Sequence, residues 1–292
     1  MCLIGFAIGA SARWPLVVAA NRDEYLDRPS AGLARWHNPA GAEIISGRDL
    51  RAGGTWFGVT PQGRVAFLTN VRERPERPGL RSRGELVTRW LESTAGADSF
   101  VAGLRADDQA GFAGFNLVIG DFAKHSWHWV TNRGGPAAAQ SGLQVQALAA
   151  GVYGLSNAAL DTPWPKTTRI KAALVAALQT SGGRPDRLVL EAAMWAALAD
   201  SKRASATLLP ATGVSLLREQ ALSSAFVDVD DGLYGTVNST LLTVASPGES
   251  GVRHQACQVS MQERQHLRQP GSVPAWTLRS ERLVWPAPSA SA

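Results

Sequence analysis

The chain opens Met1-Cys2-Leu3-Ile4-Gly5-Phe6. Methionine aminopeptidase removes a starter Met when the next side chain is small, and Cys qualifies. Removal leaves a thiol and a free α-amine on one residue. An α-amine titrates near pH ~8, so part of it is unprotonated at neutral pH and able to take the thiol proton. Nucleophile and base then share one residue. The plain alternative is Cys2 as a small hydrophobe in a β-strand.

Four polar clusters interrupt runs that read as strands. The first, Asn21-Arg22-Asp23-Glu24, follows the apolar run ending at Ala20. Consecutive polar groups at a strand end put side chains on both faces of the sheet. If this strand pairs with the N-terminal one, an Arg and a carboxylate stand beside Cys2. The Arg would favour thiolate, and the carboxylate would hold the α-amine. A salt-bridged turn is the competing expectation. The second cluster is Ser46-Gly47-Arg48-Asp49-Leu50, then Ala52-Gly53-Gly54-Thr55-Trp56-Phe57-Gly58. Adjacent glycines permit close backbone approach, and Arg48 and Asp49 are candidates to pair with the first cluster. The third is Leu68-Thr69-Asn70. The fourth is Gly154-Leu155-Ser156-Asn157, followed by Asp161-Thr162-Pro163-Trp164-Pro165-Lys166. An Asn amide and a backbone N–H aimed at one point make an oxyanion hole; singly, each Asn reads as a turn former.

Other side chains weigh less. Arg72, Arg74, Arg77, Arg81 and Arg83, with Pro75 and Pro78 between them, read as a solvated loop or as an anion-binding rim. No aromatic platform is interleaved with them, so nucleic acid is not expected. None of the five histidines has HExxH spacing and no Cys has zinc spacing, so no metal site is expected. His37 and His128 read as strand residues, with axial haem ligation as the alternative. Trp56, Trp127 and Trp129 read as core, with the lining of an apolar ligand cleft as the alternative. Ser11 and Ser82 lie in no serine-hydrolase elbow, and the Gly-rich stretches make no P-loop.

The elements that must position these groups come in blocks. Strands are expected at Leu3 to Ile8, Leu16 to Ala20, Glu43 to Ser46, Thr55 to Val59 and Val65 to Thr69, with Pro61-Gln62-Gly63 as a hairpin turn. Ser82 reads as a helix cap with Glu85 three residues on. Leu86, Val87, Trp90 and Leu91 form one apolar face. Strands return at Phe115 to Gly120, Ser126 to Val130 and Leu143 to Leu148. Helices follow at Lys166 to Leu178 and Arg187 to Ala199. Strands at Thr240 to Val244, Gln255 to Met261 and Trp276 to Val284 close the chain. Hairpin-linked strand blocks with helices between them argue against regular βαβ alternation and for stacked antiparallel sheets with helices outside. The 292 residues, 45% hydrophobic, contain no repeat and no evident linker. One domain over 1–285 is expected, with residues 286–292 a disordered tail. No run approaches a membrane span or a secretory signal. Two cysteines write no disulfide framework, which fits a reducing cytoplasm. The net charge of +5 is carried by 25 Arg against 4 Lys.

Taken together, the motifs resemble the NRDE family, whose eukaryotic members are called transport and Golgi organisation 2 proteins. They are Met-Cys at the start, Ala-Asn-Arg-Asp-Glu-Tyr, Arg28-Pro29, Gly-Arg-Asp-Leu, Ala-Gly-Gly-Thr-Trp-Phe-Gly, Leu-Thr-Asn, Ser82-Arg-Gly-Glu-Leu86 and Leu-Ser-Asn through Pro-Trp-Pro-Lys. The resemblance runs from residue 1 to about 262. That family is distantly similar to the N-terminal nucleophile hydrolases, especially choloylglycine hydrolases and penicillin V acylases. The resemblance implies an α+β, four-layer αββα sandwich with two stacked antiparallel sheets. It implies Cys2 as nucleophile, Arg22 and Asp23 as the residues that order it, and Asn70 with Asn157 as the oxyanion hole. Glu24 is an alternative to Asp23 for the acid role. Asn21, Glu24, Arg48, Trp56 and Arg72 are the candidates for ligand contact. One position departs: NRDE proteins usually read Tyr-Gly-Thr-Arg-Ser-Ser-Thr, and here Tyr234-Gly235-Thr236 is followed by Val237-Asn238-Ser239-Thr240.

Two functions follow as expectations. One is a Cys-dependent amidohydrolase acting on an amide or acyl bond of a small amphipathic molecule, with no cofactor. The other is a binding or trafficking protein on the same scaffold, taking haem, an acyl-CoA or another lipid. A purely scaffolding role makes no use of Cys2.

Overall fold

A computed structural model describes residues 2–73, 79–106, 111–133, 142–179, 186–247, 256–267 and 275–286. Two antiparallel sheets form the centre. Sheet A has the order β10 (Gly151–Leu155), β1 (Cys2–Ile8), β2 (Leu16–Tyr25), β11 (Tyr234–Ala245), β12 (Cys257–Leu267), β13 (Ala275–Trp285). Sheet B runs β3 (Ser30–His37), β4 (Glu43–Asp49), β5 (Phe57–Val59), β6 (Arg64–Asn70), β7 (Phe115–Asp121), β8 (Ser126–Thr131), β9 (Gln144–Ala147).

Alternation along each strand sorts side chains into layers. Ile4, Phe6, Val18 and Leu242 of sheet A meet Phe57, Phe67 and Val118 of sheet B in the inter-sheet core. The opposite face of sheet A, with Leu3, Val17 and Ala19, is covered by α3 (Pro165–Gln179) and α4 (Arg187–Leu198) through Ile170, Leu174, Leu190 and Met194. The outer face of sheet B is covered by α1 (Gly84–Glu92) and α2 (Ala97–Ala106), whose Leu86, Trp90 and Phe100 pack on Leu117 and Ile119. The layering is therefore αββα. A fifth helix, α5 (Leu216–Ala221), lies on the approach to β11. No helix among the described residues is long and apolar enough to cross a membrane.

Several elements depart from expectation. β2 does not end at Ala20 but runs through the polar cluster to Tyr25, because it is a central strand paired with β1 on one side and β11 on the other. Backbone pairing on both edges holds it extended whatever its side chains. Ser82 does not cap α1: the N-cap is Arg83, already helical at φ −57°, and no side chain caps it. β3, β10, α2 and α5 have no counterpart among the elements expected from the sequence. The strand expected from Thr55 starts at Phe57, since Thr55 turns its Oγ1 back to the Gly47 carbonyl at 2.7 Å. The Gln255 end of the strand expected at 255–261, Arg74, Arg77 and tail residues 287–292 lie outside the described residues.

Candidate active site

The register of sheet A brings the first motif to Cys2. Cys2 pairs with Arg22 across β1 and β2, and Arg22 pairs with Asn238 across β2 and β11. Directly opposed residues share a face, so Cys2, Arg22 and Asn238 form one cross-strand row. Cys2 is 7% exposed at the inner end of a cleft of about 680 Å³. Arg22, Asp23, Glu24, Trp56, Asn70 and Arg72 also line that cleft.

Around the thiol the influences oppose one another. Burial pushes Cys2 up and the Asp23 carboxylate adds to it, while the Asp23 backbone N–H and the Arg22 guanidinium draw it towards thiolate. Arg22 stacks over Trp56 at 4.3 Å and approaches Glu24 at 3.7 Å. Its Nη1 is buried with no hydrogen-bond partner, and so are both amide atoms of Asn238. Asp23 is buried and faces the helix layer. Its Oδ1 accepts from Thr236 Oγ1 at 2.7 Å, and its carbonyl accepts from the Tyr234 hydroxyl at 2.7 Å. Val237 sits at the irregular step of the β2–β11 register, between the pairs Asp23–Thr236 and Arg22–Asn238. The position where the resemblance leads one to expect an Arg is thus beside Arg22 and uncharged.

The third and fourth clusters are tied together next to Cys2. Ser156 Oγ donates to the Cys2 carbonyl at 3.0 Å. Asn157 Nδ2 donates to the Asn70 carbonyl at 3.0 Å, and the Arg72 N–H donates to the Asn157 carbonyl at 2.8 Å. Thr69 Oγ1 donates to the Ser156 carbonyl. Asn70 faces the cleft; Asn157 is fully buried behind it, and an amide nitrogen has a second N–H to offer.

Two sequence candidates lie elsewhere. Asn21 points into the helix layer, where its amide donates to the Leu198 and Ala225 carbonyls, each at 2.8 Å; it joins β2 to the end of α4 and does not line the cleft. Arg48 is exposed, rests over Trp36 at 4.7 Å, and bonds the Gly53 carbonyl rather than the first cluster. Asp49 does make that connection, through Arg28: Arg28 bonds Asp49 at 2.7 Å and reaches Glu24 at 3.8 Å. Arg72 is no solvated loop residue. It is buried against Glu219 and lies over Trp164 at 5.0 Å.

Sequence reasoning did not single out Lys166 as a site residue, and it read Arg83 only as one of a loop or rim of arginines. Lys166, in the first turn of α3, is 2% exposed, and its Nζ has no hydrogen-bond partner. Burial pulls its ammonium down from the ordinary 10.5 to about 8, while the charges of Asp23 and Cys2 hold it up. Its place in Pro-Trp-Pro-Lys, in a chain with four lysines, was the available signal. Arg83 is half-buried on the opposite wall. His37 and His128 do not line the cleft; one is exposed on β3 and the other half-buried in β8.

Comparison with solved structures finds the Caenorhabditis elegans ortholog of N-acylethanolamine-hydrolyzing acid amidase at TM-score 0.49 and 13% identity, covering 82% of this chain and 92% of that one. The C2A mutant of conjugated bile acid hydrolase from Clostridium perfringens matches at TM-score 0.49 and 8% identity, covering 94% and 96%. Among curated sequences, the mouse Transport and Golgi organization 2 homolog is 30% identical over 258 residues, 85% of this chain and 90% of that one. The Bos taurus homolog is 31% identical over 256 residues, with the same coverage. The family model described as Transport and Golgi organisation 2 matches residues 1–256. The chain belongs to the Transport and Golgi organisation 2 family.

Proposed function

We propose that this protein is a Cys2-dependent amidohydrolase acting on a C–N amide, or a related acyl bond, of a small molecule. The observation that carries the proposal is the convergence on one thiol. Cys2 stands at the inner end of an open cleft, with the Asp23 N–H and Arg22 beside it and the bonded Asn70–Asn157 pair alongside. Sγ attacks the carbonyl carbon and its proton passes to a base. The α-amine of Cys2, once Met1 is removed, is the first candidate for that base, and the buried Lys166 amine is the second. The Asn70 backbone N–H and the second amide N–H of Asn157 serve the oxyanion that forms. The C–N bond breaks, the amine leaves with the proton, and water then cleaves the thioester. Arg22 and Asp23 order the nucleophile.

The test is Cys2→Ala with a panel of aryl amides and acyl thioesters, together with the intact mass of the purified protein. Turnover by the wild type that falls to background in Cys2→Ala, in a protein of unchanged melting temperature and lacking Met1, is expected. Undiminished turnover in Cys2→Ala overturns the mechanism.

A second reading has one observation in its favour: the uncharged Val237 in the bulge beside Arg22. On this reading the cleft is a non-catalytic site for an amphipathic anion such as an acyl-CoA or haem. Saturable binding by Cys2→Ala, with no turnover by the wild type on any acyl donor, would favour it.

A further inference from the structure

Seven arginines and four carboxylates line the cleft among the described residues. Six of the seven stand at ion-pair distance from a carboxylate, as Arg28 does from Asp49 and Arg72 from Glu219. Two keep donors for something else: Arg83, with no such pair among the described residues, and Arg22, whose one pair is long and leaves a buried nitrogen unbonded. Arg22 is 6% exposed, touches Glu24 only at 3.7 Å through Nη2, and leaves Nη1 without a hydrogen bond. Among the described residues the Arg83 side chain makes no ion pair and one hydrogen bond, from Nη1 to the Gly114 carbonyl at 3.3 Å. The two come from opposite walls, Arg22 from the centre of sheet A and Arg83 from the start of α1 over sheet B. The charges Arg83 feels most strongly are those of Cys2 and Glu24.

A guanidinium has five N–H donors in a fixed fork that matches a carboxylate or phosphate. Leaving such donors unused at the edge of a buried site is costly unless a ligand uses them. The neighbourhood of Arg83 adds to the same charge. Ser82 and Arg83 directly precede the nine-residue helix that begins at Gly84, and all three line the cleft. The positive end of the helix dipole is therefore directed to the same place.

We infer that Arg22 and Arg83 together form an anion subsite beside Cys2, so that the substrate carries a carboxylate or phosphate a few atoms from its scissile carbonyl. This rests on the amidohydrolase reading for the word substrate, but the subsite itself is defined without it. Apolar walls at Leu68, Leu80 and Leu222 take the rest of the molecule. A neutral amide lacks the group that Arg22 and Arg83 are left to bind. It forfeits a charge-assisted, two-sided contact and reaches the thiol with nothing to hold its orientation.

Alkylation of Cys2 tests the subsite without requiring turnover. Iodoacetate and iodoacetamide have nearly the same size and leaving group but differ in charge. The thiolate displaces iodide from either, and a Cys2→Ala sample subtracts the contribution of Cys257. The rate ratio of iodoacetate to iodoacetamide on the wild type should exceed the ratio on free cysteine by roughly tenfold. It should fall to the free-cysteine value in Arg83→Gln and lie between the two in Arg83→Lys. A thermal melt of each variant checks that it is folded. Glutarate or inorganic phosphate, present in excess, should protect Cys2, and whichever protects more names the anion. A wild-type ratio no greater than that of free cysteine, or a raised ratio that Arg83→Gln leaves intact, overturns the inference. If the selectivity holds and no amide is ever hydrolysed, the hydrolase reading falls and the subsite stands. If neutral amides are hydrolysed and iodoacetate has no advantage, the reverse is true.

Discussion

Lys166 sets the clearest problem at the scale of single residues. A buried ammonium with no hydrogen bond is expensive, and proteins retain one mainly where its chemistry is used. In the unfolded chain it titrates near 10.5, and in the fold at about 8. Between those pH values the unfolded chain holds a proton that the folded chain has released, so stability rises with pH across that window. Below pH 8 the full cost is present, on the order of 3 kcal/mol. Lys166→Met keeps the length of the side chain and removes the charge. It should therefore raise the unfolding free energy at pH 7 by up to about 3 kcal/mol, and that gain should fade between pH 8 and 10.5. Urea unfolding at a series of pH values checks this; a variant that is less stable at pH 7 shows that Lys166 is held by interactions stronger than its burial cost. The same variant should slow Cys2 alkylation at neutral pH, because the charge that Lys166 lends to a thiolate, or the proton it accepts from the thiol, is gone. A stabilised protein with a less reactive thiol is the signature of a side chain kept for chemistry.

The elements decide whether Arg83 reaches the cleft at all. Gly54, in the loop between β4 and β5, lies against the first turn of α1. A Cβ there would stand 2.6 Å from the Gly84 carbonyl carbon and 2.8 Å from its oxygen. Those are backbone atoms and cannot swing aside as a side chain would, so Gly54→Ala is expected to displace the start of α1, which Arg83 directly precedes. The expected cost is about 1–3 kcal/mol, read as a lower urea midpoint, together with a drop in the iodoacetate preference of Cys2. An unchanged midpoint with an unchanged preference would mean that the loop yields instead of the helix. The adjacent glycines were legible in the sequence as a place of close approach; the partner they approach was not. The same division runs through the fold. Strands such as β1, β6 and β7 were legible because their apolar runs are continuous, as suits elements buried on both faces. The polar half of β2 was not, because Asn21 and Asp23 find their partners on α4 and β11, about two hundred residues away. Around the cleft, Cys2, Arg22, Asp23 and Asn70 come together because each ends or sits in a paired strand whose motif could be read, and Asn157, two residues past the end of β10, is tied to Asn70 by its side chain. Arg48 was misplaced by sequence proximity to Asp49, since neighbours on a strand point to opposite faces. Glu219, on a six-residue helix, left no local signal at all.

Across the whole molecule, the two sheets are joined by a polar contact as well as by their shared core. Glu263 of β12 in sheet A is 1% exposed, and its Oε1 accepts the Leu33 N–H of β3 in sheet B at 2.8 Å. Its Oε2 accepts from Thr240 Oγ1 at 3.4 Å. Burial pushes its carboxyl from the ordinary 4.5 up to about 7, although the Leu33 N–H and the charge of Arg22 pull the other way. A raised carboxyl binds its proton more tightly in the fold than in the unfolded chain. Its contribution to stability is therefore complete below pH 4.5 and is lost as pH rises through 7, again on the order of 3 kcal/mol. Glu263→Gln keeps an oxygen for Leu33 and never ionises. The variant should match the wild type near pH 4.5 and become progressively more stable relative to it up to pH 7.5, after which the difference should level off. Thermal melts of both proteins across that range measure it; a difference that does not change with pH would show that Glu263 titrates alike in the folded and unfolded chains. The consequence reaches the cleft, because the charge of Arg22 is felt by Glu263 and Cys2 alike. With Glu263 neutral, the Arg22 guanidinium is left less compensated, and a thiolate at Cys2 is favoured more. The Glu263→Gln variant should accordingly react faster with iodoacetamide than the wild type at pH 8, where the wild-type carboxyl is ionised, with the gap closing as the pH falls below 7.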